Sequence, residues 1–128
     1  MKKDITSRKD IETLVNMFYE KVQVDETIGF FFTEVVKVNW VKHLPLMYDF
    51  WDNAIFYSGK YQGNPLEVHK HLHQLHPLTY QHFDTWLSLF LSVLDSNFEG
   101  ANANVAKQRA MSITDILKLK IVDTKKAQ

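Results

Sequence analysis

Cysteine is absent from the 128 residues. That excludes disulfides, thiolate metal ligands, thiol nucleophiles and any thioether-linked cofactor of the C-x-x-C-H kind. A charge of one sign is missing too. Fifteen basic residues balance fifteen acidic ones, so nothing steers the chain toward nucleic acid or an anionic membrane surface. Protonation of the six histidines would make it cationic only below roughly pH 6. Long apolar runs are also missing. The most conspicuous, Ile28 to Phe32, is far too short to span a bilayer. The opening Met1-Lys2-Lys3-Asp4-Ile5-Thr6 lacks the apolar stretch of a signal peptide. These absences predict a soluble cytoplasmic protein with one domain over 1–128, its residues 1–6 and 123–128 being loose tails.

Large side chains are abundant instead. Nine Phe, three Trp and five Tyr accompany only four Gly, enough ring volume to fill most of a small interior. Only helical periods recur at length. Ile11, Leu14, Val15, Phe18 and Val22 mark one helix face, with Ser7 and Asp10 as a capping pair at its start. Met47, Phe50, Trp51, Ala54 and Ile55 mark a second helix, which must start between Trp40 and Pro45 because proline belongs in a first turn. The turn-rich stretch Tyr57 to Pro65 separates it from a short segment, Leu66 to Leu75, closed by Pro77. Thr79 caps the clearest helix, with Phe83, Trp86, Leu87, Phe90, Leu91 and Leu94 on one face; Phe98-Glu99-Gly100 ends it. Val105 to Lys120 forms the last. The class is all-α, with short crossing helices, no strand, no repeat and no linker.

Chemistry concentrates in the histidines. His69, His71, His73 and His76 crowd one short segment, with His43 upstream and His82 downstream. His69 follows the turn-rich stretch and could place a neutral imidazole nitrogen on iron, its other nitrogen fixed by a hydrogen bond. An ordinary surface or core histidine is the bland alternative. On a strand, His69, His71 and His73 would share one face and suit zinc or copper; on a helix only His69 and His73 align. Trp86 sits among Phe83 and Phe90 and is either core or an indole N–H aimed at a bound ligand. Tyr19 lies beside the first apolar stripe, as a surface tyrosine or as a hydroxyl pointing into a pocket. His43 stands just before Pro45, where a gate suits better than a fixed ligand.

The segments Phe18-Tyr19-Glu20-Lys21-Val22, Ile28 to Phe32, His43 to Trp51, Gly59 to Leu66, His69, Pro77-Leu78-Thr79 and His82-Phe83 through Trp86-Leu87 follow one another in an order that resembles the truncated haemoglobins, most closely their third group. The resemblance runs from about Ile11 to Ile116. It implies a short two-over-two globin sandwich around one haem b, held non-covalently. It implies His69 as the proximal iron ligand and Phe32 against the haem near the corner. Tyr19 and Trp86 would stabilise bound ligand, His43 would gate the distal side, and Met47 would line the pocket. Phe50 and Trp51 would be pocket or core walls; Tyr61 and Lys42 would meet the propionates. The glycine pairs that shape other truncated groups are missing from the helix ends. The implied ligands are O₂, CO, NO or cyanide at a five-coordinate iron. The implied chemistry is NO dioxygenation or peroxide reduction served by a reductase, in a monomer or weak dimer, rather than bulk oxygen storage. The competing readings are a haem-based gas-binding or sensing module without turnover, and a haem-free metal protein built on His69, His71 and His73.

Overall fold

A computed structural model describes residues 2–123. Five helices run in order: α1 (Arg8–Gln23), α2 (Trp40–Phe56), α3 (Pro65–Leu75), α4 (Tyr80–Asn97) and α5 (Ala101–Leu117). A π-helical turn, Phe31–Val35, precedes α2, and another, Lys118–Val122, extends α5. The only β pairing among the described residues is an isolated bridge between Lys3 and Phe98. None of the described helices is long and apolar enough to cross a membrane.

Local chemistry sets most boundaries. Ser7 Oγ accepts from the N–H of Asp10 at 3.3 Å, satisfying one orphan donor of α1. The Asp10 carboxylate turns outward to the N–H of Thr6 and to Lys3, at 2.9 and 2.7 Å. After α1, Asp25 Oδ1 accepts from the N–H groups of Thr27 and Ile28 and fixes the reversal. Trp40 begins α2, inside the expected window, yet Pro45 lies in its second turn. The Val41 carbonyl thereby loses its usual donor, which an exposed position tolerates. Asn64 caps α3, with Pro65 as its first residue. Thr79 caps α4.

The expectation of a loose segment at 1–6 is corrected for the residues described. Ile5 is fully buried. Asp4 accepts from the N–H groups of Asn102 and Ala103 at 3.0 and 2.8 Å, capping α5 from across the molecule. α5 needs this, because its own N-cap residue is Gly100, which has no side chain to offer. Of the expected tail at 123–128, residues 124–128 lie outside the described residues.

α1 packs against α2 and α4, and α5 packs against α4 and α2, giving one helix pair over another. The predicted face of α1 (Ile11, Leu14, Val15, Phe18, Val22) is buried at the centre. At the crossing, Trp51, Phe90 and Trp86 form a three-ring stack, with centroids 4.5 and 5.5 Å apart and planes 15° and 1° from parallel. Phe18 meets Trp86 and Phe90 edge-on at 5.5 and 5.4 Å. Such offset and edge contacts add about 0.5–1.5 kcal/mol each beyond area burial. α3 differs from every other helix: it has no buried residue and leans mainly on Lys118–Val122.

Candidate functional site

His69 lies one turn into α3, four residues after Pro65. That spacing lets its Nδ1–H donate to the Pro65 carbonyl at 2.7 Å. The bond selects the tautomer and leaves the Nε2 lone pair free to bind a metal. Burial pushes the imidazole below its ordinary pKa, outweighing the opposing effect of that hydrogen bond, so the ring is neutral at pH 7. Its nearest ring is Phe83 of α4, at 6.4 Å. Half-buried Leu66 and Leu72 on α3 face the core beside it.

The helix decides against a three-histidine metal cluster. His71 is exposed, and His73 Nδ1 is taken by the N–H of Leu78 at 2.8 Å. Among the described residues no three His, Asp or Glu side chains are placed to share a metal ion.

A second group forms where α1 meets α2. Tyr19 is 7% exposed and is ringed by Phe18, Phe32, Trp40 and His43, with centroids between 5.0 and 5.8 Å. Its hydroxyl lies 3.4 Å from His43 Nε2. Burial alone raises the phenol well above its ordinary pKa and lowers that of His43. At neutral pH both groups are uncharged, and the tautomer of His43 sets which of the two donates. A groove of about 310 Å³ beside Tyr19 is walled by Asn16, Glu20, Trp40, Leu44 and Tyr48.

Trp86 links the two groups. One helical turn beyond Phe83, it reaches Phe18, which touches Tyr19. Its indole N–H has no acceptor among the described residues, and no fully buried polar side-chain atom there lacks a partner. The indole therefore opens onto accessible space.

The remaining expected residues separate by depth. Phe32 stacks on Trp40 at 5.9 Å from the π-helical turn that precedes α2. Met47 and Phe50 are half-buried against the core from α2. Trp51, 4% exposed, is a core wall within the three-ring stack. Tyr61 packs edge-on to Phe50 at 5.2 Å, lying so close over Gly63 that a Cβ there would come within 2.4 Å of its hydroxyl. Lys42 is exposed.

Sequence reading missed three contributors. Trp40 contacts Tyr19, Phe32 and His43; its spacing of three from His43 placed both on one face. His82 completes the cap of α4, in the position where a capping box usually carries Glu or Gln. Asp52, 4% exposed, binds Arg8 at 3.0 Å and Lys60 at 3.4 Å. With Asn53, which accepts from the N–H of Gly59 at 2.8 Å, it anchors the loop that carries Tyr61.

This donor set fits a flat apolar iron group: one anchored neutral imidazole, apolar side chains on α3 that stay half-covered, and two O–H and N–H donors on the opposing helices. No family model matches the chain. The chain is 33% identical over 116 residues to the group 3 truncated hemoglobin ctb of Campylobacter jejuni, covering 88% of this chain and 89% of that protein. Its fold is similar to the crystal structure of a group III truncated hemoglobin from Campylobacter jejuni, with a TM-score of 0.82 and 29% identity over 94% of this chain and 95% of that one. With the relative's identity and coverage added to this fold and donor set, the chain belongs to the group III truncated haemoglobins.

Proposed function

We propose that this globin would bind haem b non-covalently beside α3, with His69 Nε2 holding its iron, and would use it for redox chemistry on small ligands such as O₂, NO or peroxide. The observation carrying this reading is the His69 ring, held by the Pro65 carbonyl with Nε2 left free. When bound, the haem supplies an iron with one open position and an exchangeable electron.

The chain's own residues do the rest. Tyr19 O–H and the Trp86 indole N–H are the two donors available to a ligand carrying negative charge. A hydrogen bond to a charged acceptor contributes about 1.5–3 kcal/mol. Two of them slow release roughly a hundredfold or more, since 1.4 kcal/mol is tenfold. Slow release disfavours oxygen storage and favours reaction of the held ligand. His43 acts as the gate. In the tautomer that accepts at Nε2 it competes for the single Tyr19 proton, so its ring gives way before that proton turns to a ligand. Met47, Phe50 and Phe32 exclude water, and Tyr61 and Lys42 meet the propionates. Electrons come from a separate reductase.

The test is the absorption spectrum of the reduced protein with and without CO, beside His69→Gly. A Soret band that shifts with CO and changes in the variant supports the reading. A spectrum without one, even after haem is added, rejects it. Turnover of NO or peroxide with a reductant then separates catalysis from binding or sensing.

A further inference from the structure

The connection between α3 and α4 is closed by imidazoles. His73, in the last turn of α3, accepts at Nδ1 from the N–H of Leu78 at 2.8 Å. His82, in the first turn of α4, accepts at Nδ1 from the N–H of Thr79 at 3.1 Å. A backbone amide can only donate, so neither Nδ1 carries a proton. An imidazole accepts only while neutral; the imidazolium donates from both nitrogens. Each protonation at Nδ1 therefore removes a bond and sets one N–H against another.

α3 is the helix most exposed to that loss. Its packed face is slight, with Leu66 and Leu72 only half-buried against the core, so its two ends contribute to its position. Its start is tied by the Asn64 cap and by the loop that Asp52 and Asn53 anchor. Its end is tied to the turn by the His73 bond, and the His82 bond closes the first turn of α4 that follows.

The surroundings do not replace them. The His82 ring faces Phe31 at 4.8 Å, Phe30 at 6.1 Å and His76 at 6.2 Å. His76 Nδ1–H donates to the Pro77 carbonyl at 3.1 Å. Near the turn, Lys70 pairs with Glu67 on α3, and Lys118 pairs with Asp84 of α4. Lys118 also lies over the Tyr80 ring, and Tyr80 bonds Asp123. Lys120 also lies in the segment under α3. Burial, and then the neighbouring His76, lower the pKa of His82, which keeps it an acceptor at neutral pH.

We propose that His73, holding the end of α3 and with it His69, and His82, holding the start of α4, are positioning residues that act only while their Nδ1 atoms accept, so that acidification opens the α3–α4 turn. The opening follows from the protein alone; its consequence for the iron rests on the haem reading above.

Amide hydrogen exchange of Leu78 and Thr79, corrected for intrinsic exchange and followed by NMR on the full chain from about pH 7.5 to 5, tests this. Protection should fall roughly tenfold, with a midpoint that tracks the His73 and His82 ring titrations. Asparagine offers an acceptor near Nδ1 that does not titrate, so the His73→Asn/His82→Asn protein should hold its protection flat. If the pair does not fold, each single variant should flatten only its own amide. Protection that stays constant in the native chain, or falls equally in the asparagine variants, overturns the proposal. The CO difference spectrum at pH 7.5 is read on the same sample: its absence rejects the haem reading and leaves the amide result standing.

Discussion

The Tyr19 hydroxyl lies 3.4 Å from His43 Nε2, and the proposed function gives its proton a second partner in a bound ligand. Removing that proton's oxygen isolates its effect. Tyr19→Phe should raise the O₂ dissociation rate roughly tenfold or more, measured by displacing O₂ with CO in a stopped-flow instrument. An unchanged rate would take Tyr19 out of ligand stabilisation. Gly100 shows a different residue-scale constraint. Its φ is 135°, and an added Cβ would lie 2.5 Å from the Asp4 carboxyl carbon. Gly100→Ala should lower stability by about 1–3 kcal/mol in urea unfolding; a loss under half a kilocalorie would show that this backbone relaxes. Tyr19 and Trp86 were legible in the sequence as residues of interest. That Tyr19 bonds His43 was not, because the two are 24 residues apart and meet only through helix packing.

At the scale of the element, the helix caps were readable wherever the donor and acceptor are local. Ser7 and Thr79 each accept from an N–H three residues on, and so does Asn64, a cap hidden within the turn-rich stretch. The cap of α5 breaks that rule, since the Asp4 acceptor stands 98 residues from the Asn102 N–H. The sequence therefore suggested a loose amino-terminal segment where the structure has a docked one. Asp4→Ala should cost about 1–2 kcal/mol, seen as a lower urea midpoint. Asp4→Asn, which keeps one acceptor, should cost less. Equal losses in the two variants would mean that charge at the helix start, not hydrogen bonding, dominates.

For the molecule as a whole, acid should act in two stages. His43, His69 and His82 have folded pKa values below the ordinary histidine value, because burial disfavours their charged form. Their contribution is present above about pH 6.5 and is lost as pH falls below it, since the unfolded chain then binds more protons. The carboxylates come next. Burial alone would raise Asp52, but hydrogen bonds from Arg8, Ser58 and Lys60 outweigh it; Asp4 and Asp10 are lowered as well, by backbone and lysine partners. Their share is complete above about pH 4 and disappears as pH falls through the depressed folded values. Urea midpoints across pH 8 to 3 should therefore decline twice. At pH 7, Asp52→Asn should lose about 1.5–3 kcal/mol and decline less steeply in the second stage. A single decline confined to the lower range would exclude the histidine part.

The sequence by itself determined the helical class and three of the five helix faces, and it singled out His69 as the residue to watch. Periodicity and capping are local, and the turn-rich stretch before Pro65 isolates that histidine from the helix upstream. The order of motifs also pointed to the family, which the comparisons establish. Tertiary structure decided what depends on distant neighbours. It made the 69–73 segment a helix, which separates His69 from His71 and directs His73 to Leu78. It sent Trp51 into the core stack while leaving Trp86 open at its end. It joined Asp4 to α5 and Asp52 to Arg8 and Lys60. A one-dimensional pattern can show which face of a helix is apolar; which polar atom on another element meets it is fixed only when the helices cross.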